Sequence, residues 1–427
     1  MNERKKVAFI TLGCKLNFAE TSTISRLFST QNFETVAFDE FADIYVINSC
    51  SVTSTADKKS RNLINKAKNN NPNAKIIVSG CYAQLKPDDV KNLGVDYVVG
   101  TQNNSQIKKI IEEICNENFD KKNERNFIET KFFGAYSKGD RTRSFLKIQD
   151  GCDYFCSYCT IPFARGRSRS ATIQDVLFYA EKIVESGIKE IILTGINLGE
   201  FGKNSDENLI FLLEKLVLIN GIERIRISSI EPNLLTNEII DFVANNSKIM
   251  PHFHIPLQSG CDEMLKLMNR RYTTDFFRKK IETVKQKIPD SFIGIDLICG
   301  LNGETNDFFK KSLEFVDSLD ITFIHEFQYS ERPNTKALNF LPKINPKEKH
   351  KRALEINLIS NKKHIQFYKN NIGKEKFVLF ESAKKNNKIY GFTDNYIKVE
   401  TEFNPDLVNK IVAVKLLKIS DNMIFSV

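Results

Sequence analysis

The stretch Asp150-Gly-Cys-Asp-Tyr-Phe-Cys-Ser-Tyr-Cys-Thr160 carries three thiols, Cys152, Cys156 and Cys159, within eight residues and just past the apolar run Phe145 to Ile148. Core packing does not call for thiols at that density. A tetrahedral zinc site wants four ligands, and no fourth Cys or His lies near enough in sequence to complete one. A four-iron cluster held by three cysteines fits better, because one iron then stays open for a small ligand. A structural zinc or a non-catalytic cluster is the bland alternative. What surrounds the loop decides between them.

Downstream, strand-like runs recur at Glu190 to Leu193, Arg224 to Ser228, His252 to Pro256, Phe292 to Leu297 and Thr322 to Phe327. Helical stretches such as Ile173 to Glu185, Leu209 to Ile219 and Phe276 to Lys287 fall between them. With Phe145 to Ile148 these make six β-α units over about 200 residues, which predicts a partial barrel reactive at its C-terminal strand ends. His252 and His254 share one strand face and are expected to line or fill it. Arg165, Arg167 and Arg169 alternate after the cysteine loop, as an anion clamp or, equally well, as a solvated face.

Upstream, Val7 to Leu12, Ile44 to Ile47, Ile76 to Val78 and Val95 to Val99 read as four strands, with helices opening near Ala19, Thr55 and Gln106. Cys14, Cys50 and Cys81 follow the first three strands in turn, so a parallel sheet delivers all three thiols to one edge. A chance core cysteine is common at one strand end, but three on successive strands point to a second metal site. The remaining Cys115, Cys261 and Cys299 read as small buried residues. Residues 118–140, rich in Asn, Lys and Glu, read as a linker.

The chain has 427 residues, 41% hydrophobic and 27% charged, which suits globular domains and excludes long disorder. Nine cysteines, an odd number, argue against a secreted disulfide framework and for a reducing, cytoplasmic setting. No run reaches the roughly 18 apolar residues of a spanning helix, so no membrane is expected. Arg4, Lys5 and Lys6 before Val7 to Leu12 imitate an export signal, but that apolar core is too short and Thr11 interrupts it. The net charge of +9 is concentrated: residues 341–427 carry 17 basic and 9 acidic side chains, a net of +8. A basic helix is expected from Lys343 to about Tyr368. Short β-like runs follow at Lys376 to Phe380, Tyr396 to Glu400 and Lys410 to Leu417. They suggest a small five-stranded barrel for a polyanion.

The loop's C-x-x-x-C-x-x-C spacing resembles the radical S-adenosylmethionine enzymes. With T-L-G-C-K-L-N (Thr11 to Asn17), V-I-N-S-C-S-V-T (Val46 to Thr53), S-G-C-Y-A-Q (Ser79 to Gln84) and P-L-Q-S-G (Pro256 to Gly260), the whole chain resembles the methylthiotransferase family. The resemblance implies three domains: an N-terminal iron–sulfur domain over 5–117, a radical barrel over 138–368, and a C-terminal TRAM module of OB-like type over 370–427. It implies two 4Fe-4S clusters, S-adenosyl-L-methionine as cofactor, an electron donor and a tRNA substrate. In this family Tyr158 would stack on the cofactor's adenine, Gly195 would lie in the turn near its methionine amino group, and Ser229 and Glu231 would meet its ribose. Gly300 to Glu304 would form a turn near the adenine. The reaction replaces an unactivated C–H by C–S–CH3, which no acid or base can do, so no catalytic side chain is named.

Within the family, the wording around Cys14 and the stretch S-C-S-V-T-S-T-A-D-K-K-S-R from Ser49 to Arg61 resembles the branch acting on threonylcarbamoyladenosine beside the anticodon. That group ends in a carboxylate, and Lys15, Lys58, Lys59 and Arg61 could place cations near the sheet edge. The isopentenyladenosine branch, a non-methylthiolating radical enzyme, a cobalamin-dependent methylase and a non-enzymatic iron–sulfur RNA binder are the alternatives. A D-x-H-x-x-G stretch for a corrinoid is absent.

Overall fold

A computed structural model describes residues 4–28, 33–115, 132–138, 142–385, 387–420 and 423–427. Most of the expected linker, and the side chain of Cys115, lie outside the described residues. The N-terminal sheet is wholly parallel, in the order Phe33–Val36, Lys5–Thr11, Ile44–Ser49, Lys75–Gly80, Tyr97–Val99. Its middle strand, Ile-Tyr-Val-Ile-Asn-Ser, is buried along its whole length, because helices cover both faces. Two separate apolar clusters, one around Tyr45 and Val78 and one around Val46 and Ile77, fill those faces. Phe33–Val36 was not foreseen: its Phe-Glu-Thr-Val is an edge strand with exposed polar positions and no clear alternation. The short helices Cys81–Leu85 and Pro87–Lys91 were also missed, being single turns without a periodic pattern.

Six parallel strands follow: Arg143–Lys147, Glu190–Thr194, Arg224–Ile227, His252–His254, Phe292–Cys299 and Phe323–Gln328. The first three and the last three form separate ladders, joined by parallel bridges Ile225 to Ile249 and Ser229 to His254. Among the described residues no pairing links the sixth strand back to the first, so the barrel stays open on one side. Isoleucines and leucines of the outward positions pack beneath the helices in the largest core of the molecule. The inward positions of the lower layers are polar and charged, including Arg143, Glu190, Arg226 and His254.

The lysine-rich helix Pro346–Lys369 starts on an Asn345 cap that accepts from the Glu348 amide, with proline at the first turn. Among the described residues the last segment has six strands where five were expected. Their order is Ile411–Lys415, Glu375–Lys385, Lys388–Thr393, Lys398–Glu402, Phe425–Ser426, Lys418–Ile419. The two outer strands are separated by only Leu416 and Leu417 in the chain, so the sheet curls round until its edges nearly meet. This sheet is seated on the barrel. Arg224 donates to the carbonyls of Phe377 (2.7 Å) and Phe392 (3.0 Å), and Arg226 to that of Asp394 (3.0 Å). Phe292, Phe367 and Tyr368 enter its apolar core. Arg224 and Phe292 open their strands, so the sheet closes the end of the barrel opposite the cysteine loop.

Candidate functional site

The first triad lies on the loop that leaves the first barrel strand. Phe155 takes a left-handed backbone (φ 49°), and Ser157 donates to the Met268 carbonyl at 3.1 Å, which turns the loop over the barrel mouth. Backbone amides of Tyr154 and Ile161 point at the sulfurs of Cys152 (3.4 Å) and Cys159 (3.5 Å). Arg270 Nη1 donates to Cys156 Sγ at 3.1 Å. Burial pushes the Cys152 and Cys159 thiols up to about 12. Thiolates there need compensating positive charge, which a metal centre provides along with the N–H···S donors already in place.

The three cysteines line a cavity of about 290 Å³ together with Tyr158, Ser229 and Glu231, each from its expected place. Val52 and Thr53, on the loop between the strand Ile44–Ser49 and the next helix, form part of the same wall. Gly195 stands one residue behind it. A Cβ there would come within 2.9 Å of Gln149 Oε1, and that oxygen accepts the amides of Ile196 and Asn197, both at 2.9 Å. The missing side chain therefore lets Gln149 pin the turn, and Ile196 and Asn197 reach the cavity instead.

Sequence reasoning missed Arg270 and Asn197. Arg270 is buried and holds Glu231 and Cys156 at once, while also donating to the Tyr272 hydroxyl at 3.0 Å. Burial raises the Glu231 carboxyl and Arg270 opposes that shift. Asn197 lines the cavity with both side-chain polar atoms buried and unbonded, the mark of a group awaiting a ligand. Neither follows a regular motif, so only the fold reveals them. Gly300 to Glu304 lies outside the cavity wall: Glu304 accepts from Arg352 at 2.6 Å and anchors the long basic helix.

The structure places the cysteines of the second triad at the C-terminal edge of the parallel sheet. Cys14 caps the helix Lys15–Arg26, Cys50 follows Ile44–Ser49, and Cys81 opens Cys81–Leu85. Two glycines make the approach possible. Gly13 (φ +102°) would put a Cβ 3.1 Å from Cys50 Sγ, and Gly80 (φ +93°) one 2.3 Å from the Ser49 carbonyl. Burial pushes Cys81 up to about 12, the Arg165 guanidinium opposes this, and Cys50 and Cys14 add to it. The donor set and its crowding fit a cluster of several irons. Among the described residues no three acids, thiols or imidazoles close on one ion.

The two triads are tied through buried charge. Arg165 ends the short helix Ile161–Arg165 after the first loop, and its Nη1 contacts Asp150 Oδ1 (3.0 Å) and Glu20 Oε1 (3.2 Å). Its Nη2 donates to Asn17 Oδ1 at 2.5 Å, and Asn17 donates to the carbonyls of Leu12 and Ser49 beside Cys14 and Cys50. Lys147 bridges the same two acids at 2.7 and 2.8 Å. The arginine trio therefore divides: Arg165 is wholly buried, Arg169 pairs with Asp150 at 3.0 Å, and only Arg167 lies on a solvated face. The four expected cations divide too. Lys15, Lys58 and Lys59 are all exposed, and Arg61 meets the Tyr82 hydroxyl at 3.4 Å. His254 bonds Asp296 at 2.8 Å inside the barrel, and His252 fills its closed end against Phe292 and Tyr396. Cys261 and Cys299 are buried as expected.

Residues 6–100 match the uncharacterized protein family UPF0004, and residues 146–316 the radical SAM superfamily. The chain is 38% identical to the threonylcarbamoyladenosine tRNA methylthiotransferase MtaB of Bacillus subtilis, covering 96% of this chain and 94% of that protein. It is 37% identical to the protein of the same name from Aquifex aeolicus, over 96% and 99%. A tRNA-2-methylthio-N(6)-dimethylallyladenosine synthase of Hydrogenobaculum is 33% identical over 96% and 95%. Among solved structures, the radical S-adenosylmethionine methyltransferase TsrM of Kitasatospora setae superposes with a TM-score of 0.56 at 14% identity, over 76% of this chain and 75% of that one. That likeness is one of fold.

Proposed function

The chain belongs to the radical S-adenosylmethionine methylthiotransferase family, in its threonylcarbamoyladenosine branch, and from that premise we propose how its residues divide the work. It is a tRNA-modifying enzyme that turns N6-threonylcarbamoyladenosine beside the anticodon into the 2-methylthio derivative. In this reading Cys152, Cys156 and Cys159 hold one 4Fe-4S cluster, and Cys14, Cys50 and Cys81 hold a second. When bound, the clusters and S-adenosyl-L-methionine supply the radical, the sulfur and the methyl group.

The protein's own part is placement. Tyr158 offers a ring face to the adenine, Ser229 and Glu231 offer oxygens to the ribose, and Asn197 adds a paired donor and acceptor. Arg270 fixes Glu231 and donates to the Cys156 sulfur, an interaction that raises a cluster's potential. Ile161, Ile196, Ile298 and Phe327 give the cavity dry walls, which protect a radical from water. The observation that carries the arrangement is that single wall shared by the first triad and by Val52 and Thr53, two and three residues past Cys50.

We take the domains as 5–117, 138–368 and 370–427, with the last an OB-like TRAM module that holds tRNA. A cytoplasmic setting and a separate electron donor complete the reading. No helix of the described residues is long and apolar enough to cross a membrane. The test is nucleoside mass spectrometry of tRNA from a deletion strain. The methylthio derivative should vanish, threonylcarbamoyladenosine should accumulate, and the intact gene should restore both. Loss of the methylthio-isopentenyl nucleoside instead would move the enzyme to the neighbouring branch.

A further inference from the structure

The barrel is open between its sixth and first strands, and the N-terminal sheet with its helices is fastened to both lips of that opening. The Arg165 network holds the first-strand lip. The sixth-strand lip has a tie of its own. Arg332, on the loop after Phe323–Gln328, donates from Nη1 to Asp57 Oδ2 at 2.8 Å, and the two side chains are only 4% and 5% exposed. Asp57 lies in the first turn of the helix Ser54–Asn70. Its other oxygen accepts from the Ser51 hydroxyl at 2.6 Å, and Ser60, one turn on, donates to the Cys50 carbonyl at 3.3 Å. Lys86, just past the helix Cys81–Leu85, reaches Asp57 at 3.2 Å. One carboxylate thus gathers the chain beside Cys50, the chain after Cys81 and the barrel lip. Across the same seam the Ser54 amide donates to Ser330 Oγ at 3.1 Å, and Arg332 Nη2 donates to that hydroxyl at 3.0 Å. Val52 and Thr53 on one side of the seam, and Phe327 to Ser330 on the other, line the cavity of the first triad.

We propose that Asp57 and Arg332 are positioning residues that fix the second triad against the cavity of the first, so that methylthio transfer depends on the pair and cofactor cleavage does not. The inference rests on the function given above and deepens it. A buried ion pair adds little net stability over well-packed apolar side chains, but a guanidinium fork accepts one geometry. Cleavage needs the first triad and the barrel residues around it. Among the described residues, none of those assigned to the cofactor bonds to Asp57 or Arg332. Transfer also needs the base held between that cavity and Cys14, Cys50 and Cys81, and a misplacement of about 1 Å costs a reaction about 100-fold in rate.

The test counts 5′-deoxyadenosine and methylthio nucleoside made by the reconstituted enzyme on tRNA carrying threonylcarbamoyladenosine. Arg332→Met and Asp57→Asn should each lower the product formed per deoxyadenosine by about 100-fold, with iron content and cleavage close to wild type. Arg332→Lys keeps the charge and loses the fork, a milder change that preserves the fold, and should give an intermediate fall. Lys86→Met leaves the pair standing and should keep the wild-type ratio. The Ser54 amide opens its helix and has no intrahelical acceptor, so its hydrogen exchange reports the seam itself. In Arg332→Met that exchange should quicken by about five-fold, the weight of one hydrogen bond. Product and cleavage falling together across the Arg332 variants would make the pair merely structural and overturn the proposal. So would loss of iron, an unchanged ratio in the Arg332 variants, or an equal fall in Lys86→Met. A wild-type enzyme that cleaves the cofactor but yields no methylthio nucleoside would refute the function itself.

Discussion

Replacing Arg165 by methionine keeps most of the side-chain volume and removes one guanidinium from a fully buried network. Two charge-assisted contacts disappear, to Glu20 at 3.2 Å and Asp150 at 3.0 Å, together with the bond to Asn17. Hydrogen bonds to charged groups contribute about 1.5–3 kcal/mol each, and breaking a buried pair costs about 3–5 kcal/mol. Lys147 and Arg169 still face the two acids, which puts the expected loss near the lower bound, about 3 kcal/mol. It should be local to the seam between the helix Lys15–Arg26 and the barrel. Native-state hydrogen exchange reads it directly, as a drop of about 100-fold in the protection of that helix's amides. In a Glu20→Gln background the same substitution should cost at least about 1 kcal/mol less, because the partners are in contact. Acid should reproduce the effect. Arg165 and Lys147 hold the Glu20 carboxyl below its ordinary range, so its stabilisation is present above about pH 4 and lost as pH falls through the depressed value. Full additivity of the two substitutions, or unchanged protection in Arg165→Met, would refute the network as the tie between the triads.

Converting Cys14, Cys50 and Cys81 to Ala should halve the iron from roughly eight per chain and spare S-adenosylmethionine cleavage. Converting Cys152, Cys156 and Cys159 should also halve it but abolish cleavage, and full iron in either triple variant would disprove two clusters. Neutralising the exposed Lys410, Lys415 and Lys418 to Gln should weaken tRNA binding and flatten its salt dependence by about three units of slope, one per lysine; an unchanged slope would remove the curled sheet from the RNA contact.

The reading of the fold succeeded where the signal is local and strong. The six barrel strands and the three strands that end in cysteines are apolar runs bounded by turns, and buried parallel strands leave that trace. Phe33–Val36 left none, because an edge strand need not alternate. The site was legible to the extent that it is thiol, since no other residue type explains that spacing. Arg270, Asn197 and the division of Arg165 from Arg167 were not legible. Arg270 meets Glu231 and Cys156, 39 and 114 residues away, Arg165 meets Glu20, 145 residues away, and the Asn197 side chain is unpartnered, so nothing local marks any of them. The tail was expected to be a separable module. Its carbonyls are instead the partners of buried Arg224 and Arg226, so removing it would strand two guanidiniums inside the barrel.

With the curled sheet as the proposed holder of tRNA, that seating would make the enzyme a caliper. The cysteine loop and the curled sheet occupy opposite ends of the barrel, whose longest strand, Phe292–Cys299, has eight residues and so spans about 26 Å. An RNA that touches both must itself have that reach, with a nucleotide exposed at one point and a phosphate surface held a fixed distance away. On the proposed reading, length and shape select the substrate before any base is read. On that reading a folded tRNA meets both ends at once, whereas a free nucleoside reaches only the cavity.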